Sequence, residues 1–199
     1  GGPESFRTAR PARGEIASTV TSSGTINPVV TVTVGTPVSG IVQAIYADYN
    51  ALVRKGQVIA RIDPATDQAQ VEQSRGSVLN AQDRLDKAKV TLVDAARTRK
   101  RYENLVKDGS VARGDFDTYA TAEASAQAAV QAAEGVLAQA RGAYRQAKTN
   151  LDYTTIVSPV DGIVISRSVE VGQTVAASLQ APTLFTIAQD LTKMQIYAT

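Results

Sequence analysis

The sequence contains one short stretch twice: Pro37-Val38-Ser39-Gly40-Ile41-Val42 returns as Pro159-Val160-Asp161-Gly162-Ile163-Val164. A second stretch, Val53-Arg54-Lys55-Gly56-Gln57-Val58, returns as Val169-Glu170-Val171-Gly172-Gln173-Thr174. Runs of Val, Ile and Thr between Gly, Pro and Asp are typical of short strands and turns. We interpret the two copies as an internal duplication. Each copy is too small to bury a core alone, so we expect the two to close on each other as a β-sandwich.

A long helical segment separates the two copies. Residues 65–150 contain no Pro and are rich in Ala, Gln and charged side chains, which favour helix. A heptad counted from Val71 in the first half of the segment, and again from Phe116 in the second half, puts mostly large side chains at a and mostly small ones at d. The a positions are Val71, Val78, Leu85, Leu92, Arg99, Val106, Phe116, Glu123, Val130, Leu137, Tyr144 and Leu151; the d positions are Ser74, Ala81, Ala88, Ala95, Tyr102, Tyr119, Ala126, Ala133, Ala140 and Ala147.

The break in this pattern predicts two helices. Gly109, within Lys107–Ser110, is a C-terminal stop between the halves. We therefore expect an antiparallel coiled-coil hairpin, a rod about 60 Å long at 1.5 Å per residue. A short bundle that folds back on itself is the alternative.

The predicted fold class is α+β, a split β-sandwich with the hairpin inserted between its halves. Residues before the first copy, including Glu15–Thr21, alternate like strands, and Lys193–Thr199 begins another strand. The predicted domains are N-terminal strands at 1–33, the first half at 34–64, the hairpin at 65–150, the second half at 151–188 and a further strand at 189–199.

The composition excludes several kinds of active site. The 199 residues carry a net charge of +2 and contain no Cys and no His. Thiolate or imidazole metal sites and histidine-activated nucleophiles are therefore impossible. Carboxylates scattered along the hairpin suit a charged helix surface better than a general acid–base pair. We expect no enzyme activity, no catalytic or metal-binding residues and no cofactor.

A basic cluster in the first helix does not predict nucleic-acid binding. Its members are Arg97, Arg99, Lys100 and Arg101. Nearby acidic residues offset them, and the one neighbouring aromatic residue, Tyr102, occupies a seam position, so bases would find no stacking surface. No run of about 18 apolar residues occurs either, so the sequence contains no membrane-spanning helix.

One outer row of the second helix consists of small residues. The f positions, opposite the seam, are Thr121, Ala128, Gly135, Gly142 and Thr149. Gly costs about 1 kcal/mol relative to Ala inside a helix. Gly135 and Gly142 therefore predict a face that another protomer approaches closely, with an ordinary tolerant surface as the alternative.

The order of these features resembles that of the membrane fusion proteins, the periplasmic adaptors of efflux and secretion systems. Such proteins have one biotinyl/lipoyl-like half, a heptad hairpin and a second lipoyl-like half. Asp48-Tyr49-Asn50, Ile156-Val157-Ser158-Pro159 and Gln180-Ala181-Pro182-Thr183 look most like adaptors of the macrolide-export type. A lipoyl carrier domain is the alternative within this fold, but it needs a Lys where this chain has its hairpin.

The resemblance implies partners and a location. It implies a periplasmic protein, anchored to the inner membrane by a segment absent from this chain, in which terminal strands belong to a β-barrel domain. It also implies a homo-oligomer, a hexamer, that links an inner-membrane ABC transporter to a TolC-type outer-membrane channel. The alternatives are an adaptor of a proton-driven (RND) pump, an adaptor of a type I secretion system, or a coiled-coil scaffold without transport.

The resemblance also implies docking residues at the hairpin tip. Adaptors of this kind meet the channel through a motif of the form R-x-x-x-L-x-x-x-x-x-x-S, which corresponds here to Arg101, Leu105 and Ala112. Arg101 falls at c and Leu105 at g, so neither belongs to the a/d seam. Ala112 replaces the motif's Ser and removes a hydroxyl that would cap the second helix.

A second site is implied in the second lipoyl-like half. Macrolide-type adaptors carry a glutamine before Ala-Pro, where a ring of side chains gates the central channel, and Gln180 matches that position. Identical amides both donate and accept, so a ring of them can bond laterally without charge repulsion. A solvated loop residue is the alternative.

Overall fold

The computed structural model describes residues 1–4, 24–28, 30–177, 182–189 and 194–198. Within these residues the strands and helices are, in order, β1 (Gly24–Pro28), β2 (Thr31–Gly35), β3 (Gly40–Ile45), β4 (Leu52–Val53), β5 (Val58–Ile62), α1 (Ala65–Lys107), α2 (Arg113–Tyr153), β6 (Thr155–Val157), β7 (Gly162–Arg167), β8 (Thr174–Val175), β9 (Thr183–Ala188) and β10 (Met194–Ala198).

The chain divides into two compact units. The smaller unit comprises residues 1–29 and 190–199. In it β1 and β10 form an antiparallel ribbon, with Ile26 opposite Ile196. The expected strand at Glu15–Thr21 lies outside the described residues, and the assignment of this unit to a β-barrel stays a prediction.

The larger unit, residues 30–189, contains two four-stranded antiparallel sheets and the hairpin. The strand orders are β2-β9-β7-β4 and β6-β5-β3-β8. Strands β2–β5 come from the first sequence copy and β6–β9 from the second, so each sheet takes two strands from each copy. The two halves therefore complete each other's sheets. Strand β2, Thr31–Gly35, belongs to the sandwich. The sandwich therefore begins a few residues earlier than the predicted boundary between residues 33 and 34.

One apolar core lies between the two sheets. Its members come from every strand of the larger unit, so the inner faces of both sheets are buried against each other. The most deeply buried side chains, at most 2% exposed, include Val42, Val53, Ile59, Ile62, Val164, Leu184, Phe185 and Ile187. The predicted closure of two copies into one sandwich is thus observed.

The duplication extends to the turns of the two copies. Gly56 and Gly172 have φ of +82° and +85°, in the left-handed region that Gly adopts without strain. Each occupies the third position of a type II turn. The side-chain oxygen of the following glutamine closes that turn by accepting an N–H: Gln57 from Arg54 at 2.9 Å and Gln173 from Glu170 at 3.0 Å.

The two helices confirm the predicted hairpin. They contain 43 and 41 residues, about 60 Å each at 1.5 Å per residue. All the predicted a and d residues are buried or half-buried. Neither helix is interrupted, which excludes the alternative of a short folded-back bundle. α2 continues to Tyr153, past the predicted boundary at residue 150.

The first helix ends as the sequence predicts. Gly109 has φ of +69°. Its N–H donates to the Val106 carbonyl at 3.1 Å, and the Ser110 N–H donates to the Leu105 carbonyl at 2.9 Å. These two bonds form a Schellman motif, which satisfies carbonyls at the helix end and turns the chain toward α2.

Candidate functional site

The described residues contain no candidate metal site and no candidate membrane span. Among them, no group of three or more potential ligand residues could hold a metal ion. No helix in the described part of the chain is long and apolar enough to cross a membrane. The sequence predictions point to three kinds of surface: the hairpin tip, the outer faces of the helices and the loops of the sandwich.

Arg101 and Leu105 lie in the last two turns of α1, next to the turn of the hairpin. Arg101 is exposed, whereas Leu105 is half-buried. They are one helical turn apart, so they share one face of α1. The structure thus places both at the tip, with the charged group in solvent and the apolar group partly covered.

Ala112 lies across the turn, at the N-cap of α2. Its backbone is extended, with φ of −70° and ψ of 149°, and no side chain caps the helix. The Asp115 N–H donates to the Ala112 carbonyl at 3.1 Å. A Ser at this position would place its hydroxyl where N-cap side chains accept orphan N–H groups. The three motif residues therefore lie near the same end of the hairpin, and the second helix starts without a side-chain cap.

An ion-pair network lies just below the tip. Arg99 and Glu123, both at a positions, pair across the seam. Arg99 also pairs with Glu103 at 2.9 Å, and Glu103 with Lys107 at 3.1 Å. The Lys107 hydrogen bond, more than any other contact, lowers the pKa of Glu103. This network ties the last turn of α1 to α2.

Two tyrosines form the adjacent seam layer. The ring centroids of Tyr102 and Tyr119 are 4.0 Å apart, and their hydroxyl oxygens are 3.3 Å apart. The hydrogen bond to Tyr102 raises the pKa of Tyr119. The main apolar seam ends at Leu92 and Val130. The ion-pair network and the tyrosine pair therefore lie between this apolar seam and the tip. The sequence predicts that Arg99, Glu123 and both tyrosines lie in the seam, but not which of them pair. The opposite charges of Arg99 and Glu123, both at a positions, were the signal from which their pairing could have been predicted.

The small f row of α2 is an open surface. All of its residues are exposed except Gly142, which is half-buried. A Cβ added at Gly135 or Gly142 would meet no atom of the described residues within 4 Å. No contact among those residues therefore requires Gly at either position.

Gln180 lies outside the described residues. Nearby, the Ala177 N–H donates to Ser39 Oγ at 2.9 Å, and β9 begins at Thr183. The role of Gln180 stays a prediction.

The loop that contains Asp48-Tyr49-Asn50 is held by a side chain that the sequence analysis missed. The Asp48 carboxylate accepts the Tyr49 N–H at 2.7 Å and Arg167 Nε at 3.0 Å. These bonds, the Tyr49 N–H above all, lower the pKa of Asp48. Arg167 also pairs with Glu170 at 2.8 Å, and this lowers the pKa of Glu170. Arg167 thus joins a loop of the first copy to a turn of the second.

Comparisons with known proteins agree with this architecture. The family model described as "RND MFP, barrel-sandwich hybrid domain", MFP denoting membrane fusion protein, matches residues 30–187. Macrolide export protein MacA of Yersinia pestis is 33% identical over 98% of this chain and 53% of its own length. Multidrug resistance protein MdtA of Escherichia coli O7:K1 is 33% identical over 79% of this chain and 35% of its own length.

A solved structure of a macrolide export protein has the same fold as this chain. The crystal structure of MacA from Actinobacillus actinomycetemcomitans superposes with a TM-score of 0.82 at 32% identity. The match covers 89% of this chain and 54% of that chain. The chain thus spans about half the length of the macrolide-export relatives that it matches.

Proposed function

The chain belongs to the membrane fusion protein family, and from that membership we propose that it is the periplasmic adaptor subunit of a tripartite efflux system. The observation that carries the proposal is the TM-score of 0.82 with a MacA structure over 89% of this chain. A match of that extent must include both the sandwich and the hairpin. The chain would act without catalysis, as a connector between two membrane proteins.

The proposed partners are an inner-membrane ABC transporter and a TolC-type outer-membrane channel. Two relatives are named for macrolide export and match nearly the whole chain, at 33% and 31% identity. A rod about 60 Å long suits a protein that bridges part of the space between two membranes. The protein would lie in the periplasm, anchored to the inner membrane.

We assign channel docking to the hairpin tip. Arg101 offers an exposed charge, and Leu105 offers an apolar group beside it on the same helix face. That combination suits a groove between helices of a partner, where an apolar anchor gives affinity and a charge gives orientation. The Arg99 network beneath them would hold this end of α1 against α2.

The sandwich, the terminal ribbon and the outer face of α2 have proposed places in a ring of six copies. The sandwich would be the lipoyl-like domain, and the β1–β10 ribbon would belong to a β-barrel domain. Six copies would assemble as a funnel, with Gly135 and Gly142 on a face between protomers and Gln180 in a ring across the channel. The open surface above both glycines supports the protomer face.

Transporter stimulation and channel binding test the proposal. The full-length protein, reconstituted with an ABC transporter of the macrolide-export type, is expected to co-purify with it and to raise its ATP turnover. Arg101→Ala and Leu105→Ala should lower affinity for a TolC-type channel while leaving ATPase stimulation unchanged. Arg97→Ala is the matched control, because Arg97 is exposed on the same helix but at an f position. Failure to bind either partner would contradict the proposal.

An adaptor of a proton-driven pump is the second candidate. The matching family model is that of RND-type adaptors, and MdtA, a multidrug resistance protein, is 33% identical over 79% of this chain. Co-purification with a proton-driven pump, without any effect on an ABC transporter, would favour this candidate. A type I secretion adaptor would instead require secretion of a protein substrate.

A further inference from the structure

The outer face of the β6-β5-β3-β8 sheet carries exposed apolar side chains. Tyr46, Val58 and Val157 are 58%, 38% and 43% exposed. Val58 lies opposite Val157 where β5 pairs with β6, and Tyr46 directly follows β3. The outer face of an antiparallel sheet is ordinarily polar and solvated. This face therefore differs from an ordinary solvated one.

An irregularity in β5 shapes this face. The pairing of β5 with β6 shifts register between Val58 and Ala60. Ile59 and Ala60 are consecutive, yet both are fully buried, so the usual alternation of inward and outward side chains is broken there. Val58 and Arg61, on either side of them, are exposed. Irregularities of this kind re-aim side chains and are common beside binding sites.

A depression lies beside this irregularity. It has a volume of about 470 Å³ and is lined by Tyr46, Gln57, Val58, Arg61 and Thr155. The backbone holds Tyr46 there, because the Ile59 carbonyl accepts the Tyr46 N–H at 2.8 Å. Sites for small organic molecules have volumes of about 300–1,000 Å³, so the depression has room for one such molecule.

The polar groups of the depression favour an anion. Arg61 is the one charged residue among its described lining residues, and it forms no ion pair within the described part of the chain. The Gln57 side-chain oxygen accepts the Arg54 N–H at 2.9 Å, which leaves the Gln57 amide nitrogen as a donor. A guanidinium with a further donor beside it suits a carboxylate, which accepts hydrogen bonds and carries the opposite charge.

A second depression continues from the first toward the hairpin. It has a volume of about 420 Å³ and shares Arg61 and Thr155 with the first. The hairpin contributes Gln68 and Asp152 to its lining. The Asp152 carboxylate places a negative charge in this second depression, where it would repel another anion. We call the two depressions together the root groove.

We propose that the root groove binds a small organic anion that has an aromatic body and a single carboxylate. The carboxylate would pair with Arg61, and the ring would lie against Tyr46 and Val58, since aromatic rings stack favourably on one another. This binding goes beyond the proposed adaptor function and requires neither a transporter nor a channel. The two proposals can therefore fail separately.

Binding of naphthoate to the full-length protein, measured by isothermal titration calorimetry, tests the proposal. The expected result is one site per chain. Naphthamide, an uncharged analogue of nearly the same shape, should bind at least about fivefold more weakly, because hydrogen bonds between charged groups are the stronger ones. Equal affinities for the acid and the amide, or no binding of the acid, would overturn the proposal.

Substitutions in the first depression locate the site. Arg61→Gln should weaken naphthoate binding about five- to tenfold, and Tyr46→Ala should weaken binding of both the acid and the amide. Arg54→Gln is the matched control, because Arg54 is exposed on the same sandwich but lines neither depression. If Arg61→Gln and Arg54→Gln bind naphthoate equally well, the proposed site is wrong.

A dianion tests the orientation of the ligand in the groove. Naphthalene dicarboxylate should bind no more tightly than naphthoate, because its second carboxylate would approach Asp152. Asp152→Asn should raise the affinity for the dicarboxylate and leave the affinity for naphthoate unchanged. Tighter binding of the dicarboxylate to the unsubstituted protein would contradict the assigned orientation.

Discussion

Among single residues, the hydroxyl side chain before the proline of each sequence copy has the same role in both copies. Thr36 and Ser158, each preceding the proline of its copy, are 1% exposed. Their hydroxyls donate to carbonyls two residues on, at Val38 and Val160, with distances of 3.2 and 2.6 Å. A buried hydroxyl requires such a partner. The bonds therefore allow a polar side chain to sit in the core of each half.

The glycine of the second copy should be irreplaceable. A Cβ at Gly162 would overlap the Ala188 carbonyl and the Ile187 side chain. Gly162→Ala is therefore expected to lower the free energy of unfolding by about 1–3 kcal/mol, as overpacking does. Urea denaturation measures this. Gly135→Ala is the control: it meets open space and should stabilise the helix by up to about 1 kcal/mol. Equal effects of the two substitutions would contradict the close packing of Gly162 against Ala188 and Ile187.

The Arg167 cluster predicts a dependence of stability on pH. Asp48 and Glu170 have pKa values held below their ordinary 3.8 and 4.5. Their contribution is therefore complete above those ordinary values and is lost as the pH falls through the lowered ones. Arg167→Gln should lower the urea midpoint at pH 7. It should also make the midpoint fall less steeply as the pH is lowered from about 5 to about 3, the range in which the two carboxylates become protonated. An unchanged acid slope would contradict this.

At the element scale, the hairpin was the most predictable part. The heptad identified every seam position because a and d residues must face the partner helix whatever their chemistry. The pairing of Arg99 with Glu123 was not predicted, since it depends on how far the chain runs before turning. Arg167 was missed for a related reason: its partner Asp48 is 119 residues away. No local pattern connects residues at that separation.

Replacing Arg99 alone should lower hairpin stability more than replacing both Arg99 and Glu123 with apolar residues. Arg99→Met alone leaves Glu123, 29% exposed, in the seam without its partner, and is expected to lower hairpin stability by about 1–3 kcal/mol. Arg99→Met with Glu123→Leu should recover most of that loss, because apolar replacements often match an ion pair. Thermal unfolding followed by circular dichroism measures both. A double variant no better than the single one would contradict the pairing.

The tip should gain order when its missing cap is restored. Ala112→Ser adds a hydroxyl at an N-cap that has no side-chain hydrogen bond. The expected gain is about 1 kcal/mol, seen as slower amide exchange in the first turn of α2. Ala112→Val is the control, since Val adds bulk without an acceptor. If Ser slows exchange no more than Val does, this substitution has no part in the order of the tip.

At the scale of the whole molecule, the duplication predicted that two halves would form one sandwich but not how. Two of the pairings between the copies, β4 with β7 and β8 with β3, involve strands of only two residues. Strands so short leave no periodic pattern in a sequence. The exchange explains why an insertion of two long helices is tolerated: the halves are held together by their sheets, and the hairpin extends from the junction between them.

Native mass spectrometry of the full-length protein, alone and with a TolC-type channel, is the decisive test of whether it is an oligomeric adaptor. The expected result is six copies that bind the channel, and Arg101→Ala should weaken channel binding without changing the number of copies. A protein that stays monomeric under all conditions and binds no channel would rule out the proposed adaptor function, although the fold of the sandwich and hairpin would be unaffected.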